Sequence, residues 1–157
     1  MSLVLRAIRS AEHEQFVSQL LVREARWFRF LDGGPHLRKS HGPTEWNFVA
    51  VTPDGFPLGF GRLVYQDEMG VLVGSYAVEE RWRRRGVGRL ILGHLHTLAA
   101  YLDSGFIAAV FGNNASSLGL CQAHFGPELY RGDVDGAEVV VFGDAKAEAS
   151  IWPEEKR

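Results

Sequence analysis

A single cysteine, Cys121, stands in 157 residues. One thiol forms no disulfide within the chain and supplies no cysteine-based zinc pattern, so a reducing compartment is expected. A long apolar run is missing from the start. The opening MSLVLRAIRSAEHEQF reaches an arginine at Arg6, which excludes a secretory signal and a membrane-spanning helix there. The expected setting is cytoplasmic, with no membrane partner. Charge of one sign is lacking as well: 17 Lys and Arg against 19 Asp and Glu give a net charge of -2. Nonspecific nucleic-acid binding rests on many phosphate contacts, and this balance is not built for it. No nucleic-acid partner is expected. Internal repeats are absent, and the six histidines show no metal-ligand spacing; His94 and His96, two apart on a helix, point to different sides. No metal is expected.

What is present is enough apolar material for one ordinary domain, with 46% hydrophobic residues. Ser2 to Ile8 reads as a first strand, and Ser10 stands at an N-cap position ahead of Glu12 and Glu14. Phe16, Leu20, Leu21, Ala25 and Phe28 recur at helical spacing, predicting a helix from about Ala11 to Phe30. Leu31 to Glu45 is dense in Gly, Pro and polar residues and reads as a long loop. Trp46–Thr52, Leu58–Tyr65 and Val71–Val78 are rich in β-branched and aromatic residues, with PDGFP and QDEMG between them, the pattern of an antiparallel meander. Val87, Leu90, Ile91, Leu95, Leu98 and Leu102 trace one helix face. Phe106–Phe111 reads as a buried strand, Asn113–Phe125 as a capped helix and Ala137–Gly143 as a last strand. The expected fold class is α/β (α+β) with a mixed, mostly antiparallel sheet flanked by helices, in the order β-α-loop-β-β-β-α-β-α-β. Residues 1–143 form one domain in this reading, and 144–157 a loosely structured tail.

The chain concentrates its unusual residues between Arg81 and Arg89. RWRRRGVGR holds five arginines and two glycines in nine residues, between a strand ending at Val78 and a helix beginning near Val87 to Leu90. The first turn of a helix has N–H groups without partners, and the helix dipole adds to them in favouring an anion. Glycines let a phosphate approach the backbone, while Arg83, Arg84, Arg85 and Arg89 add charge and paired donors. A solvated arginine face is the alternative. Two phosphate motifs fail here. A nucleoside-triphosphate loop needs Lys then Ser or Thr after its last glycine, where Arg89 and Leu90 stand; a dinucleotide fingerprint needs a third glycine where Ile91 stands.

The stretch resembles the acyl-CoA signature of the GNAT N-acetyltransferase superfamily: Gln or Arg, two residues, Gly, one residue, Gly or Ala. Arg83, Gly86 and Gly88 fill it, after the lead-in AVEERWRRRG. A second family feature, a strand followed by an Asn-led helix, is matched by AAVFGNNASSLGLCQAHFG. The resemblance implies a sheet that splays after the fourth strand to admit acetyl-CoA. It places the pyrophosphate on the backbone of Arg83, Arg84, Arg85, Gly86, Val87 and Gly88, with Arg89 beside it. It places the pantetheine arm along Tyr76, Ala77 and Val78, where an amide would polarise the thioester carbonyl. Asn114, with Asn113 an equal candidate, and Ser117 one turn further on would also touch the cofactor.

The family's helix carries a Leu-Tyr pair whose tyrosine protonates the departing thiolate; this chain has Leu120 and Cys121. Cys121 therefore reads either as the proton donor or as a small packed side chain. His124 and Tyr130 are alternative donors, and a further alternative is that no acid is needed, since a CoA thiolate is a tolerable leaving group. Candidate bases are Glu79 and Glu80 beside the turn, and Asp67 and Glu68 at the preceding hairpin. The implied activity is transfer of an acetyl group to an amine of a small molecule or peptide. The acceptor pocket would be shaped by Trp27, Phe28, Phe30, His36 and Trp46 and by the segment Tyr130 to Glu138 with Asp133 and Asp135; Trp27 and Phe28 also read as core. Another acyl-CoA, an aminoacyl-tRNA acceptor, a non-catalytic acyl-CoA sensor and a plain nucleic-acid module are the competing readings. Family members often dimerise, so a homodimer is compatible with the resemblance.

Overall fold

The structure, a computed structural model, describes residues 2–28 and 44–152. Its elements are β1 (Val4–Ala7), α1 (Ala11–Arg23), β2 (Glu45–Val51), β3 (Pro57–Gln66), β4 (Val71–Val78), α2 (Val87–Tyr101), β5 (Gly105–Phe111), α3 (Ala115–Phe125), β6 (Tyr130–Val134), β7 (Ala137–Gly143) and α4 (Ala145–Ile151). The seven strands form one sheet in the order β1-β2-β3-β4-β5-β7-β6. Every neighbouring pair is antiparallel except β4 and β5, which run parallel. The mixed, mostly antiparallel sheet expected from the sequence is present. The long loop from Leu31, with Phe30, His36 and His41, lies outside the described residues apart from its last two positions; Glu45 already belongs to β2.

Strand alternation sorts the core onto two faces. On β4, Val71, Val73 and Ala77 share one face: Ala77 joins the cluster under α1 with Val17, Leu20, Leu21, Phe28, Val49 and Phe60, and Val71 and Val73 meet Ile107 and Ala147 of α4. Leu72 and Val78 face the other way, into the larger cluster with Ile91, Leu95, Phe106 and Cys121. Helix α2 lies close on that face because β3 presents glycines to it. A Cβ at Gly61 would stand 3.1 Å from Ile91 Cγ2 and 3.3 Å from Leu95 Cδ2.

Three parts of the sequence reading change. The first helix ends at Arg23 rather than near Phe30. Ser10 caps its start as expected, accepting from the His13 amide at 3.0 Å, but after Glu24 the chain tightens into a 3-10 turn, Ala25–Trp27. That turn delivers Phe28 into the core, 6.1 Å from the Phe60 ring. The segment expected to join the last two strands holds a strand of its own, β6, paired with β7 through a hairpin. Asp135 and Gly136 at its tip have φ of 51° and 83°, the left-handed pair that a two-residue hairpin turn requires.

The segment read as a tail contains α4, and Asp144 explains it. One carboxylate oxygen accepts from the Ala147 amide at 2.8 Å and from the Phe106 amide at 3.2 Å. The other meets His96 Nε2 at 2.8 Å, and His96 Nδ1 lies 2.9 Å from His124 Nε2. One acid thus ties α4, β5, α2 and α3 together. A second polar network is buried in the meander. Arg62, wholly inaccessible, donates to Asn47 at 2.7 Å, and Asn47 donates to Glu45 at 3.0 Å. Pairing of this kind is what makes a buried guanidinium tolerable.

Candidate functional site

Strands β4 and β5 pair over three residues only, Val71–Val73 against Gly105–Ile107. Beyond them β5 keeps its ladder with β7 and β4 keeps its ladder with β3, so the sheet opens between two intact halves. Where pairing stops, the Phe106 ring fills the space that a side chain at Gly74 would take. The opening holds a cavity of about 440 Å³, walled by Gly74–Val78 on one side and Ala108–Phe111 on the other. The facing edges of both strands carry peptide groups without a sheet neighbour, available to an extended guest.

At the mouth of this opening, Glu79 starts a single 3-10 turn, accepting from the Arg81 amide at 2.9 Å. The chain then passes through two left-handed residues, Arg84 at φ 62° and Gly86 at φ 82°. A non-glycine residue in that region is uncommon and costs energy, and such strain gathers at binding turns. Gly86 is the N-cap of α2 and no side chain caps the helix there. The first-turn amides of α2 therefore meet the cavity with the positive end of the helix dipole behind them. A Cβ at Gly88 would come within 3.0 Å of the Tyr76 ring and 3.1 Å of Leu120. This close approach is what the second glycine of the motif secures.

The arginines divide by role. Arg84 and Arg89 line the cavity and form no ion pair among the described residues. Arg83 also lines it, but its side chain turns inward: Nε donates to the Val78 carbonyl at 3.2 Å and the guanidinium pairs with Glu24 at the end of α1. Arg85 does not line the cavity and lies 5.2 Å over the Trp82 ring. Of the other residues expected to touch the cofactor, Tyr76, Ala77, Val78, Gly86, Val87, Gly88, Asn114 and Ser117 all line the cavity. Asn114, rather than Asn113, caps α3, accepting from the Ser117 amide at 3.3 Å.

The residues expected for proton transfer are not brought together. Glu79 is absent from the cavity wall and is held by Arg81. Tyr130 sits on β6, half exposed and away from the cavity. Cys121 contributes to the wall yet has no exposed surface, and burial pushes its thiol up to about 12. Cys121→Ala is expected to cost about 1 kcal/mol of stability, the ordinary size for a small core truncation, read by chemical denaturation. Several wall residues escaped the sequence reading: Glu24, which pairs with Arg83, and Ser75 and Trp82, whose buried hydroxyl and indole N–H have no hydrogen-bond partner. Trp27 and Phe28 serve both as core and as wall, with the Trp27 and Phe111 rings 6.1 Å apart. The Tyr76 hydroxyl lies 3.0 Å from Ser117 Oγ, and burial raises the phenol to about 12 against the lowering effect of that hydrogen bond. No group of three His, Cys, Asp or Glu residues able to hold a metal occurs among the described residues.

A sheet parted at its parallel pair, with a glycine-led helix pointing its amides into the gap, is the architecture of the N-acetyltransferases. The chain belongs to the acetyltransferase (GNAT) family, whose sequence model matches residues 5–126. Solved structures agree on the fold. A GCN5-related N-acetyltransferase from Kribbella flavida superposes with a TM-score of 0.68 at 20% identity, covering 90% of this chain and 96% of that one. A variant of the spermidine N-acetyltransferase of Vibrio cholerae gives 0.70 at 15% identity, covering 95% and 96%. A candidate phosphinothricin N-acetyltransferase gives 0.66 at 20%, covering 91% and 98%. No curated protein matches the chain significantly. Among the described residues no helix is long and apolar enough to cross a membrane.

Proposed function

We propose that the protein transfers an acetyl group from acetyl-CoA directly to the amine of a small molecule or peptide. The observation that carries this reading is the juxtaposition of an unpaired β4 edge with an uncapped helix N-terminus across one cavity. An acyl-CoA is a long flexible amide arm ending in a pyrophosphate, and it needs both. The Val87–Arg89 amides with Arg84 and Arg89 would receive the phosphates. The edge from Gly74 to Val78 would pair with the pantetheine arm, and an amide of that edge would stabilise the oxyanion as the amine attacks the thioester.

The acceptor is an amine on an apolar body. Trp27, Phe28, Tyr76, Trp82 and Phe111 line the cavity, and Glu24, the one carboxylate among the described lining residues, is already paired with Arg83. A polycation such as spermidine finds little charge to complement it there. Melting of the purified protein with acetyl-CoA, ATP or NAD tests the cofactor. A ligand at a hundred times its Kd adds about 2.7 kcal/mol, which for a chain of this size raises Tm by about 5–10 °C. The shift is expected with acetyl-CoA alone; an equal shift with ATP, or none with acetyl-CoA, overturns the reading. Thiol release with a panel of aromatic and aliphatic monoamines, against spermidine, then ranks the acceptors and separates an enzyme from a silent acyl-CoA binder.

A further inference from the structure

We propose that the Tyr76 hydroxyl is the group that meets the departing sulfur of the acyl thioester and returns its proton. The proposal rests on the acyl-CoA reading of the cavity. Collapse of the tetrahedral intermediate breaks the C–S bond and leaves its electron pair on sulfur, so a donor is needed there at that moment and nowhere else. The hydroxyl and thiol groups of the wall are those of Ser75, Tyr76, Ser116, Ser117 and Cys121. Cys121 is fully buried. Ser75 lies on the α1 face of β4, opposite to Tyr76. A serine hydroxyl is a far weaker acid than a phenol, which leaves Tyr76.

Three observations fix the phenol in place. Its ring occupies the cleft above Gly88 at the first turn of α2, where any side chain on residue 88 would collide with it. Leu120 closes the other side of that cleft. Its oxygen is held at 3.0 Å by Ser117 Oγ, which sits in the first turn of α3 behind the Asn114 cap. Either oxygen can be the donor of that bond. With Ser117 donating to Tyr76, the phenolic proton is free to point into the cavity. The phenol stays protonated across the working pH range because burial disfavours the phenolate. It can therefore donate a hydrogen bond to the departing thiolate throughout that range.

The step balances within the pair. The amine nitrogen gains the acyl carbon and loses a proton to solvent; the sulfur gains the phenolic proton and leaves as CoA thiol; the phenolate recovers a proton from water through the Ser117 hydroxyl. A tyrosine of β4, held by Ser117 of α3, thus returns the proton.

The test compares CoA with desulfo-CoA by calorimetry at pH 7 and pH 9, on the wild type, Tyr76→Phe and Ser117→Ala. CoA becomes a thiolate across this range while Tyr76 remains a donor. The wild type is expected to favour CoA over desulfo-CoA more strongly at pH 9 than at pH 7 by about tenfold, the ratio that one charge-assisted hydrogen bond supplies. Tyr76→Phe abolishes that gain, keeps the ring over Gly88, and leaves acetyl-CoA affinity within about twofold. Ser117→Ala reduces the gain in part. The same Tyr76→Phe substitution slows thiol release from acetyl-CoA by about a hundredfold, with water as the acceptor or with any amine the wild type uses. A wild type with no gain at pH 9, a gain that survives in Tyr76→Phe, or a parallel loss of acetyl-CoA affinity overturns the role of Tyr76 and leaves the cofactor reading standing. A wild type that binds neither acetyl-CoA nor CoA removes both.

Discussion

Gly86→Val is expected to weaken acetyl-CoA binding by at least about a hundredfold in a calorimetric titration, while Gly86→Asn leaves it within a few fold. Space does not decide this, because a Cβ built on Gly86 has no heavy atom within 4 Å. Backbone conformation decides it. Gly86 holds φ 82° and ψ 7° at the N-cap of α2, a left-handed geometry that costs an ordinary residue about 1–2 kcal/mol and a β-branched one more. Asparagine tolerates it. Helix α2 is anchored by Val87, Ile91, Leu92 and Leu95, all buried, so the helix does not yield and the turn before it must. Arg84, already at φ 62°, sits in that same turn. Once it re-routes, the Val87 and Gly88 amides no longer converge on one anion, and losing two charge-assisted hydrogen bonds of about 1.5–3 kcal/mol each accounts for the hundredfold. Wild-type affinity in Gly86→Val would show that the turn does not carry the phosphates.

The RWRRRGVGR turn was legible because its signals are local. A strand, a glycine pair and a helix within a short stretch leave few ways to fold: the expected strand end Val78 is that of β4, and α2 starts at Val87, the first residue of the expected range. The limits of the meander strands were legible for the same reason. What the sequence concealed is long-range. Arg83 and Glu24 lie 59 residues apart, and no local pattern says that one arginine of five turns inward to brace α1 while Arg85 stacks on Trp82. Asp144 caps α4 locally through the Ala147 amide, but its partners Phe106 and His96 lie 38 and 48 residues away, and no local pattern shows that it anchors the segment to the sheet and α2. The β6–β7 hairpin is a different case. Its Asp-Gly tip is a strong short-range turn signal, but YRGDVDGAE is too polar to resemble a strand; β6 is an edge strand, exposed along most of its length, and such strands carry no apolar alternation.

The close packing of β3, β4 and α2 depends on glycines that the sequence places but does not explain, and Gly59 gives the sharpest test of that dependence. Gly59→Ala is expected to destabilise the protein by about 2–3 kcal/mol, lowering Tm by about 4–12 °C, whereas Gly93→Ala raises stability by about 0.5–1 kcal/mol. A Cβ at Gly59 would lie 2.5 Å from the Ala77 carbonyl oxygen and 3.1 Å from Ile91 Cδ1. The first obstacle is backbone and has no rotamer to escape into. Relief requires β4 to move away from β3 at the Gly59–Val78 pair or α2 to lift from the sheet, and either displacement shifts the Tyr76–Val78 edge that walls the cavity. Gly93 lies within α2 with nothing within 4 Å of the added methyl, so alanine there removes conformational freedom from the unfolded chain and meets no obstacle. Chemical denaturation of the two variants measures the difference directly. Equal effects from the two substitutions would mean that β3, β4 and α2 are not in the close register on which the cavity wall depends; a large loss confined to Gly59→Ala, with acetyl-CoA affinity falling beside it, ties the stability of the meander to the shape of the site.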